Sequence, residues 1–225
     1  MTAVPQQTTF DVIGLELEGA VAVPERPRGV VLFAHASVTD RHDATDALIA
    51  RALEQKRLAT VRVNLLTKIE REIEPLQQRE FDVPTLGARI IALIDAVATR
   101  HDTEGLPGAL CGAGTGAGGA LIAAAARPAW VHALLSRAGR PDLAGEFVRL
   151  VRCPTLLVVG ETDGPIREVN EQAEAQFPGT ARVARVPGAS MLREEPRAVE
   201  LVTELAREWF AVRLARRPGS PAGAR

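Results

Sequence analysis

Residues 110–119 read Leu-Cys-Gly-Ala-Gly-Thr-Gly-Ala-Gly-Gly, and this glycine-rich stretch decides how the rest of the chain is interpreted. An apolar run over residues 108–111 leads into it and is typical of a short buried strand. The small residues over 115–127 predict a helix. Glycines between a strand and a helix permit a turn too tight for side chains. The stretch therefore predicts a strand, a sharp turn and a helix in direct succession.

Short β-type runs alternate with longer helical ones on both sides of this turn, which is typical of an α/β fold with a mainly parallel sheet and helices on both faces. The predicted strands are 30–35, 59–64, 108–111, 131–136, 155–159 and 181–186, after an opening hairpin of residues 10–17 and 21–23. The predicted helices are 43–56, a segment capped by Asp82 with Pro84 in its first turn, 115–127, 165–176 and 196–214.

Three connections are expected to be irregular. Gly19 is predicted at the turn of the opening hairpin, because glycine is common in tight turns. Residues 65–80 are charged and poorly periodic, so we expect an excursion over the surface. Residues 139–152 are expected to form a loop with one helical turn at most.

The bulk composition is that of an ordinary globular protein. The chain has 225 residues, of which 46% are hydrophobic and 24% charged, and its formal net charge is -1. We expect one α/β domain over residues 1–214 and a disordered tail over 215–225, which has no apolar anchors. The near-zero net charge gives no reason to expect a nucleic acid or a membrane surface as a partner.

The sequence also gives an expectation for the cellular compartment of the protein. The first ten residues are polar and do not form a signal peptide, and no run approaches the roughly 18 apolar residues of a membrane span. We therefore expect a cytoplasmic protein. Cys111 and Cys153 lie in apolar segments without metal-ligand spacing, which indicates buried thiols. Neither a metal nor another cofactor is expected.

The glycine-rich turn fits two kinds of site. In a nucleophile elbow, G-x-S-x-G, a sharp turn lifts the central side chain above the sheet, next to backbone donors. Here the pattern runs from Gly112 to Gly116 with Gly114 at its centre. In a dinucleotide fingerprint, G-x-G-x-x-G, a helix N-terminus holds a pyrophosphate, and Gly114, Gly116 and Gly119 have that spacing.

The sequence before and after the glycine-rich turn supports the dinucleotide alternative less well. The fingerprint normally occupies the first βα turn, whereas several predicted strands precede this one. An acidic residue is expected about 20 residues later, at the end of the next strand, but that strand ends in Ser136-Arg137, with Arg140 nearby. Arginines there would suit NADP, so this alternative stays open, as does a purely structural turn for close packing.

Five segments in register resemble a known family. They are V-V-L-F-A-H-A at 30–36, the turn at 112–116, S-R-A-G-R-P-D-L-A-G at 136–145, P-T-L-L-V-V-G-E-T-D at 154–163 and V-P-G-A-S-M at 186–191. Over roughly residues 28–210 the chain resembles the dienelactone hydrolase-like branch of the α/β-hydrolases. The resemblance implies a three-layer α/β-hydrolase fold, with a twisted, mainly parallel sheet between helices.

The resemblance implies a catalytic triad in which two positions are substituted. The family's acid falls on Asp163, its histidine on Met191 and its nucleophile on Gly114. A serine attacks only when a base removes its proton, and the acid only orients and stabilises that base. We therefore expect Asp163 to be vestigial. Glycine relieves the strain of the elbow, and Met191 is expected to fill apolar space where an imidazole stood.

The loop after the strand at 30–35 carries the oxyanion donor in this family. The resemblance implies that this donor is the backbone N–H of Ala36 or Ser37. Arg41-His42 resembles a pair found on the same loop in relatives, which implies ligand contact, and a solvated pair is the alternative.

Basic groups near the helix N-terminus extend the expected ligand site. The helix that begins near Thr115 points free N–H groups and its positive dipole end toward the oxyanion site. Arg137 and Arg140 lie on loops that can reach this site. The structural alternative is that these arginines pair with Asp142 or Glu146.

Three functions follow. The favoured one is a catalytically degenerate hydrolase fold that binds a small anionic or ester-like ligand, or serves regulation or association, for example as a homodimer. The second is a weak ester or lactone hydrolase, or a lyase-like enzyme, with Thr115 or Cys111 as the candidate for a relocated nucleophile. The third is an NADP-binding oxidoreductase, which the absence of tyrosine disfavours because the usual Tyr-Lys pair is missing.

Overall fold

A computed structural model of the chain describes residues 3–36, 44–72, 82–192 and 194–215. Within these ranges eight strands form one sheet. They are β1 (Gln6–Val12), β2 (Leu15–Ala22), β3 (Gly29–His35), β4 (Leu58–Asn64), β5 (Gly108–Ala113), β6 (Val131–Arg137), β7 (Thr155–Gly160) and β8 (Ala181–Val186).

The strand order in the sheet is β1-β2-β4-β3-β5-β6-β7-β8. β2 pairs antiparallel with both β1 and β4, and all the other pairings are parallel. The interior strands β3 and β7 are buried almost throughout. Continuous apolar strands of this kind occur where helices cover both faces of a parallel sheet. The predicted fold class, a mainly parallel α/β sheet, is confirmed.

Helices cover both faces of this sheet. They are α1 (Ala44–Glu54), α2 (Lys68–Glu72), α3 (Val83–Thr99), α4 (Gly114–Ala126), α5 (Gly164–Glu174) and α6 (Pro196–Arg213), with a 3₁₀ segment at Pro141–Leu150. α1 and α6 enclose a core that contains Phe33 and Phe210. α3 and α4 pack on a second core that contains Leu32 and Leu121. No helix in the described ranges is long and apolar enough to cross a bilayer.

The opening hairpin turns at Ile13 and Gly14, not at Gly19 as predicted. The φ angles are 49° at Ile13 and 74° at Gly14, and a two-residue type I′ turn requires positive φ at both central positions. Gly19 instead lies within β2, opposite Thr8. A Cβ there would lie 2.7 Å from the carbonyl oxygen of Arg62, so this glycine permits close strand packing.

The segment predicted as a loop with one helical turn is more helical than expected. Pro141–Leu150 forms two 3₁₀ stretches separated at Gly145, whose φ of 54° and ψ of -135° are not helical. Ala144 and Val148 are buried in it, so core contacts stabilise these turns. The predicted excursion over 65–80 is helical at Lys68–Glu72. Residues 73–81, and the predicted tail except Ala215, lie outside the described residues.

A buried arginine ties α3 to the segment that follows β4. Arg89 Nη1 donates hydrogen bonds to the Leu65 carbonyl oxygen at 2.6 Å and to Glu70 Oε2 at 2.8 Å. Its Nη2 donates to Glu70 Oε1 at 2.7 Å. This two-pronged, charge-assisted contact lowers the pKa of Glu70 to about 2, with the hydrogen bonds from Arg89 as the largest cause.

We predict that this contact makes stability depend on pH in acid. The pKa of Glu70 is lower in the folded chain than its ordinary value of 4.5, so its contribution is complete above pH 4.5 and is lost as the pH falls toward about 2. In urea unfolding, Glu70→Gln should make the free energy of unfolding depend less on pH between 4.5 and about 2. Glu72→Gln, at an exposed position of the same helix, should not, and identical profiles for the two variants would contradict the assignment.

Candidate functional site

A pocket of about 270 Å³ lies at the carboxyl ends of the parallel strands, which is where open α/β sheets bind ligands. Residues at the ends of β3, β5 and β6 form part of its wall, and the loops after β7 and β8 complete it. Of the predicted site residues that the structure describes, six line this pocket together: Ala36, Gly114, Thr115, Arg137, Asp163 and Met191. Their segments are far apart in the chain, so the sheet topology alone brings them together.

The turn from β5 into α4 places Gly114 at the pocket with a left-handed backbone. Its φ is +54°, a conformation that costs an L residue about 1–2 kcal/mol. A Cβ at this position would meet no atom within 4 Å. Glycine at 114 therefore relieves a backbone constraint, and there is space for a side chain.

The glycines on either side meet a steric requirement instead. A Cβ at Gly112 would lie 2.6 Å from the Cα of Ala117, and a Cβ at Gly116 would lie 2.5 Å from the carbonyl oxygen of Ala34. Both distances are shorter than van der Waals contact, so a side chain at either position would push α4 off the sheet. The elbow pattern is thus kept at its two packing positions and changed at the central position, which faces open space.

Asp163 lies in the loop after β7, at the N-cap of α5, and lines the pocket. Its carboxylate does not cap the helix. Its backbone holds the loop instead, because the Asp163 N–H donates to Gly160 and its carbonyl oxygen accepts from the Arg167 N–H at 2.9 Å. The side chain is therefore positioned by its backbone, and it reaches the pocket without being used in the helix cap.

Two carboxylates hold the turn that carries Met191. Glu195 Oε1 accepts from the N–H groups of Ser190 and Met191, both at 2.9 Å, and these bonds lower the pKa of Glu195. Glu161 Oε2 accepts from the Gly188 N–H at 2.9 Å. The Met191 side chain is 44% exposed at the rim of the pocket. The side chain predicted to fill apolar space thus lines the pocket, and the turn leaves it partly exposed.

A buried charge cluster borders the pocket. Arg137 Nη2 donates to Asp46 Oδ1 at 2.6 Å, and both side chains are almost fully buried. His35 Nδ1 lies 3.6 Å from Asp46 Oδ2, which is beyond hydrogen-bond distance. A buried charge is tolerated only when it is paired, so Asp46 and Arg137 balance one another. Arg137 and His35 also line the pocket.

Arg137 and Arg140, which were both predicted to reach the ligand site, have different environments in the structure. Arg140 is not among the pocket-lining residues, and its guanidinium donates to both oxygens of Asp142, with the shortest bond at 2.8 Å. This is the predicted structural alternative. Arg137 pairs with Asp46 rather than with Asp142 or Glu146, and an arginine bonded in this way gives no specific support to an NADP site.

The predicted oxyanion loop is described only in part. Ala36 lines the pocket, whereas Ser37, Arg41 and His42 lie outside the described residues. Thr115, in the first turn of α4, also lines the pocket.

Cys111, the other candidate for a relocated nucleophile, is buried within β5 and is not among the pocket-lining residues. Burial is the largest cause that raises the pKa of its thiol, and the nearby Asp46 raises it further. A thiol that resists ionisation is a poor nucleophile. Within the described ranges, no group of three or more His, Cys, Asp and Glu side chains is arranged to hold a metal ion.

Asp46 and Ser190 were not predicted to belong to the site. Asp46 lies on the buried face of α1, with Ile49, Ala50 and Leu53, and an acid among apolar residues at helical spacing is a signal for a buried ion pair. Ser190 lines the pocket and donates its hydroxyl to Glu195 at 3.1 Å. Its role depends on the turn geometry, for which no sequence signal is apparent.

We predict unequal costs for alanine at the three glycines of the elbow. Gly114→Ala should lower the free energy of unfolding by about 1–2 kcal/mol, because only the backbone is strained. Gly112→Ala and Gly116→Ala should each cost about 3 kcal/mol or more, because a Cβ would collide with backbone atoms. Urea unfolding measures all three. Equal losses would show that the space around Gly114 is not open.

Solved structures share this architecture. A dienelactone hydrolase from Anabaena variabilis is 38% identical to the chain, with a TM-score of 0.90, and the match covers 95% of this chain and 99% of that one. Est1E from Butyrivibrio proteoclasticus is 15% identical and shares the fold, with a TM-score of 0.78 over 93% of this chain and 99% of that one. No family model matches the chain.

Curated relatives give a second comparison. Two proteins from strains of Mycobacterium tuberculosis, both named as phosphoribosyl transferases, are 44% identical over 192 residues, which is 85% of this chain and 43% of their own length. The chain thus spans less than half of these relatives. The dienelactone hydrolase match covers nearly all of both chains, and it decides the family: this chain belongs to the dienelactone hydrolase-like branch of the α/β-hydrolases.

Proposed function

We propose that this chain uses its hydrolase-fold pocket to bind a small anionic or ester-like ligand and does not hydrolyse it by the serine route. One observation carries the proposal: Gly114, Met191 and Asp163 line the same pocket. By family resemblance these are the positions of the nucleophile, the base and the acid. Two of the three therefore lack the chemical group that covalent catalysis needs.

The remaining acid cannot replace the missing groups. A serine route needs a hydroxyl to attack the carbonyl carbon and an imidazole to take the hydroxyl proton. Glycine has no side chain to attack with, and the thioether of Met191 cannot accept that proton under ordinary conditions. Asp163 would orient an imidazole if one were present. In this chain its carboxylate contributes charge to the pocket.

Binding needs less than catalysis, and the pocket retains what binding needs. α4 begins at Gly114, and the first N–H groups of a helix have no acceptor within the helix, so they point toward a ligand oxygen. Ala36 adds a backbone N–H from the adjacent strand end. His35 and Arg137 add polar side chains to the wall. These donors favour a ligand oxygen of a carboxylate, carbonyl or ester.

The name of the mycobacterial relatives does not define this chain's reaction. Because the chain matches only 43% of their length, the activity in that name is not carried over to it.

We predict that the chain is not labelled by a serine-directed phosphonate and that Gly114→Ser alone remains inert. Gly114→Ser combined with Met191→His should be labelled and should hydrolyse p-nitrophenyl acetate at least about tenfold faster than the single variant, because a positioned general base contributes roughly 10²-fold or more. Initial rates and labelling are measured on the same preparations.

The controls address the other groups in the pocket. If Gly114→Ser alone is active, adding His35→Gln shows whether His35 has become the base, and either result would show that Met191 is not the decisive substitution. Robust hydrolysis by the unaltered chain that is abolished by Thr115→Ala or Cys111→Ala would overturn the proposal in favour of a relocated nucleophile.

Ligand binding has its own test. Butyrate or methyl butyrate should raise the midpoint of thermal unfolding, and at a hundredfold excess over Kd the stabilisation should be about 2.7 kcal/mol. Met191→Trp, at the exposed rim of the pocket, should weaken this effect. Leu201→Trp, at an exposed position of α6 outside the pocket, should leave it unchanged. If neither probe stabilises the chain, the proposed function fails for this ligand class.

A further inference from the structure

The carboxylate of Asp163 has no partner in the described parts of the chain. It lines the pocket but makes no capping bond to α5. Arg167, one turn into α5, is engaged elsewhere, because its Nη1 donates to the Glu161 carbonyl oxygen at 2.9 Å and its Nε lies 3.7 Å from Glu171. Within the described ranges no basic side chain pairs with Asp163, so its negative charge faces the pocket.

Among the described residues, the guanidinium that lines the same pocket is paired with another carboxylate. The guanidinium of Arg137 is bonded at 2.6 Å to Asp46, and both groups are buried. The pocket therefore has two unlike ends, with N–H donors at the start of α4 and a negative acceptor at Asp163.

A ligand with only an anionic group uses one end of this arrangement and leaves Asp163 without a partner from the ligand. It brings a second negative charge into a pocket of about 270 Å³ that the Asp163 carboxylate lines, and like charges repel each other. A ligand that also carries a cationic donor would remove the repulsion and give Asp163 a hydrogen-bond partner.

We propose that the ligand is a small zwitterion of the amino-acid type, with its carboxylate at the N-terminus of α4 and its ammonium group against Asp163. This inference rests on the proposed binding function and specifies the ligand class for the same pocket. The ammonium group would lie beside Met191, at the position where the family has its histidine. Asp163 would thus be a specificity-determining residue that selects a cation.

The test compares ligands that differ in one charged group. The probes are 3-aminopropanoate, 4-aminobutanoate and 5-aminopentanoate, which vary the spacing of the charges, with butyrate and n-butylamine as the single-charge references. Isothermal titration of the full chain at constant ionic strength gives each Kd. We expect the best zwitterion to bind roughly tenfold more tightly than butyrate, because a charge-assisted hydrogen bond is added.

Two variants test whether Asp163 causes the tighter binding of the zwitterion relative to butyrate. Asp163→Asn keeps the shape of the side chain and removes its charge, and it should reduce the tenfold preference to about one. Glu168→Gln removes the same charge from an exposed position on α5 that does not line the pocket, and it should preserve the preference. The thermal midpoints of both variants confirm that they are folded.

The outcomes separate this inference from the proposed function. Equal binding of butyrate and the zwitterions to the unaltered chain, or a preference that survives Asp163→Asn, would overturn the zwitterion proposal and leave the ligand-binding proposal standing. If n-butylamine binds and neither butyrate nor the zwitterions do, the start of α4 does not bind a carboxylate, and the assignment of a donor end and an acceptor end to the pocket is wrong. If no probe with a carboxylate binds, both proposals fail for carboxylates.

Discussion

The structure depends on the close approach of α4 to the sheet. Gly112 and Gly116 have no Cβ, and a Cβ at either position would lie 2.5–2.6 Å from backbone atoms of Ala117 or Ala34. Because the helix lies this close, the chain must turn sharply between β5 and α4, and Gly114 takes up that turn with a φ of +54°. The same turn places the N-terminus of α4 at the pocket, so the close packing of this helix also shapes the candidate site.

The polarity of the pocket follows from where charges are paired. Asp46 comes from α1 and Arg137 from the end of β6, and their contact at 2.6 Å satisfies both groups in a buried place. Asp163 reaches the same pocket from the loop after β7, and no described basic side chain pairs with it. The proposed binding function depends on this difference, because a carboxylate that no protein cation pairs with can accept a hydrogen bond from a ligand.

Much of the site was visible in the sequence, and what was missed has a common cause. Gly114, Met191 and Asp163 were placed by segments in register, and the pocket brings them together. Asp46 was missed because its partner is 91 positions away and no local pattern links them. The exposure of Met191 was missed because it depends on how Glu161 and Glu195 hold the turn, which hydrophobicity does not report.

By itself the sequence determined the alternation of strands and helices and the mainly parallel sheet, because these follow from local periodicity, whereas the triad positions were predicted from family resemblance. The tertiary structure decided which glycine makes the first hairpin turn, which arginine is held by Asp46 and, among the described residues, that the Asp163 carboxylate lines the pocket without a paired cation. Those outcomes depend on distances between segments that are remote in the chain, and such distances exist only after the sheet has assembled.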